Sequence, residues 1–160
     1  MIVIRCETGE NVEVNVETLA GAKLSGLNLH RALLENQSLQ GADLSESELR
    51  SAWLEGASFA GANLSRASLA ASNASRADFS GANLTGAMMR SGIFEHANFS
   101  GANLRGAKLG GARFAGATLD GADVRCEGLD SASLAGAFSN IHTKWPLGFD
   151  PGKKGVIVRR

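Results

Sequence analysis

The stretch Gly61-Ala-Asn-Leu-Ser65 recurs as Gly81-Ala-Asn-Leu-Thr85 and again as Gly101-Ala-Asn-Leu-Arg105. Outward from it in both directions, a large residue occupies every fifth position from Leu24 to Leu134, which makes 23 successive units. Alanine lies two residues before the large residue in 17 of them. Such self-similarity indicates a fold that repeats one small structural unit.

A period of five fits neither a regular helix nor a regular strand. On an α-helix five residues advance about 500°, so an apolar stripe would wind around the axis. On a continuous strand an odd period sends successive large residues to opposite faces. The period does fit a short extended piece followed by a corner. The large residue and the alanine two positions earlier then both point inward, and alanine suits a narrow interior.

A second period of twenty residues sets the cross-section. Glycine followed by alanine recurs at that spacing from Gly21 to Gly121. Twenty residues are four units, so one coil has four sides, and glycine marks a corner that needs either a positive φ or a close backbone approach. The predicted core includes one column of leucines and one ladder of phenylalanines. These residues are Leu24, Leu44, Leu64, Leu84, Leu104, Phe59, Phe79 and Phe99.

The A-(D/N)-L-x-x pattern resembles that of the pentapeptide-repeat family, whose members are common in bacteria. The resemblance implies an all-β fold, a right-handed quadrilateral β-helix, here with about six coils and capped at both ends. It also implies a binding or scaffold protein. The sequence contains no nucleophile and base at a suitable spacing, and it indicates no catalytic, cofactor-binding or metal-ligating residues. We therefore expect a non-enzyme with neither a cofactor nor a small-molecule substrate.

Both ends differ in composition from the repeats. Residues 2–6 and 12–16 predict a hairpin, so 1–18 is interpreted as an N-terminal cap. The repeats are assigned to 19–136, because Ser139 breaks the column of large residues. Residues 137–160 hold both prolines and bulky apolar side chains, and are interpreted as a C-terminal capping tail with a short strand at 155–159.

Charge and cysteine content set broad limits on function and location. The formal net charge is zero, but residues 1–60 carry nine acids and four bases, while 141–160 carry one acid and five bases. Cys6 and Cys126 have no metal-ligand spacing, and free thiols are favoured over a disulfide. No signal peptide or membrane-spanning run is evident, so a cytoplasmic protein without a membrane partner is expected.

Three bulky apolar residues break the polar outer surface. The residue before each large one should point outward, and in one column these residues are Leu33, Trp53 and Ile93. Such a patch predicts a protein contact, in which Trp53 anchors an unidentified protein partner or a homodimer. The alternative is that the N-terminal hairpin or a neighbouring chain covers the patch.

The family is also known for proteins that mimic DNA and protect DNA gyrase from inhibitors, and this is the alternative function. B-form DNA carries one negative charge per about 1.7 Å, roughly 16 over a rod of this length. From Glu17 to Ser139 the chain has twelve acids and ten bases, and arginines interrupt any acidic face. Gyrase is therefore a less favoured partner. Nucleic-acid binding through the basic tail (Lys153, Lys154, Arg159 and Arg160) is a further minor alternative.

Overall fold

The computed structural model describes residues 1–160 and contains very little regular secondary structure. Its strands are β1 (Ile2–Ile4), β2 (Val12–Val14), β3 (Phe138–Asn140) and β4 (Ile157–Arg159), and one 3-10 helix spans Gly152–Lys154. Between β2 and β3 the chain forms single parallel bridges, from Lys23 with Asp43 to Asn103 with Asp123, each joining residues twenty apart. The result is a four-sided β-solenoid, as the period of twenty predicts.

Every corner from Gly21 to Gly121 uses the same tight turn. At the corner around Gly61, the N–H of Ala62 donates to the carbonyl of Phe59 at 2.9 Å and Gly61 has φ 64°. A positive φ at the third residue is the mark of a type II turn. Nine corner residues that are not glycine also adopt a positive φ, Arg31 and Asn36 among them. A Cβ on Gly61 would meet nothing within 4 Å, so glycine is placed there by the backbone angle and not by close approach.

The unit from Ala62 to Arg66 shows why each repeat needs five residues. The N–H of Asn63 donates to the preceding coil, while the N–H groups of Leu64 and Arg66 donate to the following coil at 2.7 and 2.9 Å. Ala62 closes the turn. The remaining donor, the N–H of Ser65, is accepted by Oδ1 of Asn63 at 3.1 Å. Asparagine or aspartate before the leucine therefore satisfies the one amide that neighbouring coils do not reach.

Leucine and phenylalanine fill the interior in stacked columns. Leu24, Leu44 and Leu64 are fully buried, as are the rings of the phenylalanine ladder. Phe79 stacks on Phe59 at 5.0 Å and on Phe99 at 4.8 Å between ring centroids. Burying each such side chain contributes roughly 1.5–3 kcal/mol to stability.

The N-terminal hairpin closes one end of the interior. β1 and β2 pair antiparallel, and the last residue of each strand, Ile4 and Val14, is buried against the interior. The chain after β1 then pairs antiparallel with the first coil, where Leu33 donates its N–H to the carbonyl of Arg5 at 2.8 Å.

The C-terminal end shows two local features. Parallel pairing continues beyond the last large residue of the register, because Phe138 bridges Thr118, and Ser139 is fully buried. β4 then pairs parallel with β3 and adds one more layer. The five-residue period holds in the sequence, but the stacking departs from the offset of twenty at one side. Lys108 pairs with Glu127, an offset of 19, and the normal offset returns at Arg113 and Ser133.

Candidate protein-contact face

Leu33, Trp53 and Ile93 lie on one side of the solenoid, here called the third face. Its central column runs through successive bridges and comprises Leu33, Trp53, Asn73, Ile93, Arg113 and Ser133. Leu33 is 39% and Trp53 40% exposed, and Ile93 is partly buried. The structure therefore brings the three sequence-predicted residues into one column, with Asn73 between Trp53 and Ile93.

The N-terminal hairpin covers only one end of this face. The Glu7 carboxylate accepts hydrogen bonds from Nε and Nη2 of Arg31, at 3.0 and 2.8 Å, and borders the same recess as Trp53. Its polar contacts with Trp53 and Arg31 lower the pKa of the Glu7 carboxyl. Sequence reasoning missed this contact, since nothing in the sequence relates Glu7 to Trp53. The hairpin therefore approaches the indole while much of its surface stays exposed.

A shallow depression separates Trp53 from Ile93. It has a volume of about 390 Å³ and is floored by Ala52, Ala71 and Asn73. The layer around Asn73 contributes small side chains, whereas the layers on either side contribute large ones. The face therefore has relief, with apolar projections flanking a recess, as protein contact surfaces commonly do.

Charges border the apolar residues in a repeated arrangement. The segments His30-Arg-Ala-Leu-Leu-Glu35, Arg50-Ser-Ala-Trp-Leu-Glu55 and Arg90-Ser-Gly-Ile-Phe-Glu95 each place basic residues at one edge of the face and a glutamate at the other. Glu55 pairs with Arg76 at 3.2 Å and Glu95 pairs with Arg113. The signal for this arrangement is visible in the sequence only after the layers have been aligned at a spacing of twenty.

Other candidate sites have weaker features. A cleft of about 440 Å³ lies between the last coil and the tail, lined by Cys126, Leu129 and Lys153 among others. Burial raises the pKa of the Cys126 thiol to about 12, so the thiol stays protonated and poorly nucleophilic at neutral pH. Both cysteines are free, no cluster of His, Cys, Asp or Glu is placed to hold a metal ion, and no helix is long and apolar enough to cross a bilayer.

Some exposed apolar side chains lie outside the predicted patch. Met88, on the neighbouring side, is 44% exposed, while Ile141 and Leu147 project from the C-terminal end. Met88 is isolated among polar neighbours and so provides a useful comparison with Trp53.

Comparison with known proteins identifies the family. The profile of pentapeptide repeats matches residues 18–56, 28–65, 62–101 and 97–126, which together span more than half of the chain. The chain therefore belongs to the pentapeptide-repeat family, as the sequence pattern predicted.

Several solved structures are similar to this chain. The pentapeptide repeat protein Rfr23 from the cyanobacterium Cyanothece 51142 aligns with TM-score 0.55 and 24% identity, covering 79% of this chain and 89% of that one. A pentapeptide repeat protein of the Arabidopsis thaliana thylakoid lumen is 34% identical over 66% of each chain, with TM-score 0.41. QnrB1, a plasmid-mediated fluoroquinolone resistance protein, aligns over 91% of this chain and 88% of its own with TM-score 0.51 and 18% identity, which shows a shared fold alone. No curated protein matches.

Proposed function

We propose that this protein is a non-enzymatic interaction or scaffold module that binds a protein partner through the third face. The solenoid interior is filled by leucine, phenylalanine and alanine, so its outer sides are the surfaces available for recognition. The observation that carries the proposal is Trp53, whose indole lies next to Glu7 at the border of a recess and is 40% exposed. Tryptophan is among the residues most often found to dominate binding energy at interfaces.

A comparison of two substitutions tests the proposal. Trp53→Ala removes the anchor, and Met88→Ala removes a similarly exposed apolar side chain from the neighbouring side. Proteins retained by the immobilised wild-type chain are identified and their affinities measured by calorimetry with purified components. We expect Trp53→Ala to weaken binding by at least tenfold and Met88→Ala to leave it unchanged. The proposal is abandoned if Trp53→Ala changes neither oligomeric state nor any measured interaction.

Gyrase protection is a second candidate, supported by the likeness in fold to QnrB1. The charge distribution supports it poorly, because Arg66 pairs with Glu46 and Arg76 with Glu55 on the outer surface. The test is a gyrase supercoiling assay with and without a quinolone. Relief of inhibition at micromolar protein would favour this candidate over the first, and no effect would remove it.

The finer features of the protein belong to the same proposal. We take the solenoid to be right-handed with about six coils, bounded by a cap at 1–18 and a tail at 137–160. We take the protein to be bacterial and cytoplasmic, in keeping with its two free cysteines.

A further inference from the structure

Three layers of the third face share a feature that the other layers lack. Where the outward residue is Leu33, Trp53 or Ile93, a histidine or an arginine (His30, Arg50 and Arg90) lies three positions before it and a glutamate two positions after it. The layer of Asn73 has Ala70 and Ser75 at those positions. The layers of Arg113 and Ser133 likewise lack the combination of base, apolar residue and acid.

The fold itself does not require this combination. Residues inside the layers, such as Leu54, Ala74 and Phe94, are fully buried whether or not the outer triad is present. The outer residues do not contribute to the core, so their joint occurrence points to something that contacts all three at once. A contacting surface would have to offer an acid opposite each base, an apolar group at the centre and a base opposite each acid.

We propose that this surface is the third face of a second copy of the same chain, with the two rods parallel. This inference rests on the proposed function and names its partner. If a two-fold axis lies between the rods and along them, each layer meets the same layer of the other copy. The basic edge of one face then lies against the acidic edge of the other, and the apolar columns meet at the centre.

The opposite orientation has no such complementarity. With antiparallel rods the basic edge faces the basic edge and the acidic edge faces the acidic edge, and like charges in contact are unfavourable. The charges of the third face therefore select both a partner and an orientation.

The charges that the dimer uses are available in the single chain. Arg50 and Arg90 are exposed and form no ion pair. Glu55 pairs with Arg76, and these side chains are 48% and 70% exposed; Glu95 pairs with Arg113, and these are 29% and 56% exposed. Solvent screens both contacts, the second less, so exchanging them costs little.

The recess beside Trp53 accommodates the second indole. In the parallel dimer the two Trp53 side chains approach one another at the axis, and each can lean over the small residues Ala71 and Asn73 of the facing copy. The flat part of one side is narrow, about 10 Å across with roughly 4.8 Å per layer. This area is well below the ~800 Å² per partner of a standard interface, so we expect weak association, with a Kd on the order of 100 μM.

Exchange of charges tests the dimer. Arg50→Glu with Arg90→Glu makes both edges of the face acidic, and Glu55→Lys with Glu95→Lys makes both edges basic. Sedimentation velocity over a concentration series should show each variant alone associating at least tenfold more weakly than wild type. An equal mixture of the two variants should recover association. Arg105→Glu with Lys108→Glu, the same charge change elsewhere on the rod, should have no effect, and circular dichroism verifies that all variants are folded.

A cysteine at an off-centre position reports orientation. Ser133→Cys lies near its own counterpart only when the rods are parallel, so it should form a disulfide-linked dimer on mild oxidation at a rate well above that of wild type. If the Ser133→Cys variant self-associates but forms no disulfide-linked dimer, the parallel arrangement is overturned.

The remaining outcomes separate this inference from the proposed function. A wild-type chain that stays monomeric to about 1 mM, ten times the expected Kd, or that associates equally well with either charge variant, overturns the dimer. If the wild-type chain stays monomeric but Trp53→Ala weakens binding of a different protein, the interaction surface stands and only its occupant was misidentified. If Trp53→Ala weakens neither self-association nor binding of any protein, both proposals fail.

Discussion

The two ends of the solenoid close in different ways. At the N-terminal end the chain reverses direction, so that residues after β1 pair antiparallel with the first coil and Ile4 and Val14 cover the interior. At the C-terminal end β4 simply adds a parallel layer to β3. Its residues Ile157 and Val158 remain about half exposed.

The difference shows that an end of the solenoid can be closed either by antiparallel pairing or by one more parallel layer. The hairpin ends the parallel pattern with a strand pair of another kind, and its turn lies outside the stack. β4 continues the pattern, so its outer edge is of the same kind as any interior layer. Exposed strand edges are sites of fraying and of pairing with other chains, and the C-terminal end should therefore open more readily than the N-terminal end.

The largest expected effect comes from weakening the N-terminal closure. Ile4→Ala removes a side chain that is 2% exposed, and truncations of this kind cost about 2–5 kcal/mol. Urea unfolding followed by circular dichroism measures the loss. A cost below that of the C-terminal truncation described next would reverse the ranking of the two ends.

Removing residues 155–160 should have a smaller effect. Val156 is the one buried side chain in that segment, and its burial contributes roughly 1.5–3 kcal/mol. The same urea experiment applies, with Arg160→Ala as a control that should change nothing. Hydrogen exchange in the intact chain should show faster exchange for amides of β4 than for those of residues 5–7.

The two thiols report opening at each end without truncation. Cys6 is 6% exposed beneath the hairpin, while Cys126 is half-buried near the tail. Burial raises the pKa of both thiols, so a thiol reagent at pH 8 should modify both far more slowly than in urea. If reaction requires opening of the end, Cys126 should react faster than Cys6. Because burial raises the pKa of Cys126 from 9.0 to about 12, folding favours its neutral form, and the resulting stabilisation is complete below pH 9 and lost between pH 9 and 12. Cys126→Ala should remove that part of the alkaline destabilisation.

The smallest expected effect concerns Glu7, which links the hairpin to the third face. Polar contacts with Trp53 and Arg31 lower its pKa, so its stabilising contribution is present above its unfolded pKa, near 4.5, and declines as the pH falls through the folded value. Glu7→Gln should therefore lower the melting temperature slightly at pH 7 and not at pH 3. Equal losses at both pH values would show that the carboxylate charge is unimportant.

Much of the fold could be predicted because the repeat constrains it so tightly. The period of five places Leu24 and Phe79 inside and Trp53 outside, and the period of twenty aligns Leu33, Trp53 and Ile93 in one column. The right-handed sense and the number of coils stay predictions, since neither the period nor the hydrogen-bond pattern depends on them.

Some features were missed because the same sequence spacing permits more than one path of the backbone. Leu129 keeps the five-residue period, although the chain shortens one side before Glu127 and lengthens the next. Ser139 breaks the column of large residues, yet it is fully buried in β3, and β4 pairs with that strand on its outer side. The contact between Glu7 and Trp53 joins distant segments and has no periodic signature.

In many repeats an Asn or Asp side-chain oxygen accepts the N–H two residues later, but three layers of the third face lack this acceptor. Leu33, Trp53 and Ile93 have no oxygen to accept the N–H two residues later, and the amides of Glu35, Glu55 and Glu95 have no protein acceptor. In the Asn73 layer between them, Oδ1 accepts the N–H of Ser75 at 3.2 Å. The third face therefore has three main-chain N–H groups, next to its apolar residues, that donate to no other part of the protein. A molecule that reaches these amides binds more favourably if it supplies acceptors for them, so backbone chemistry as well as side-chain chemistry affects what binds there.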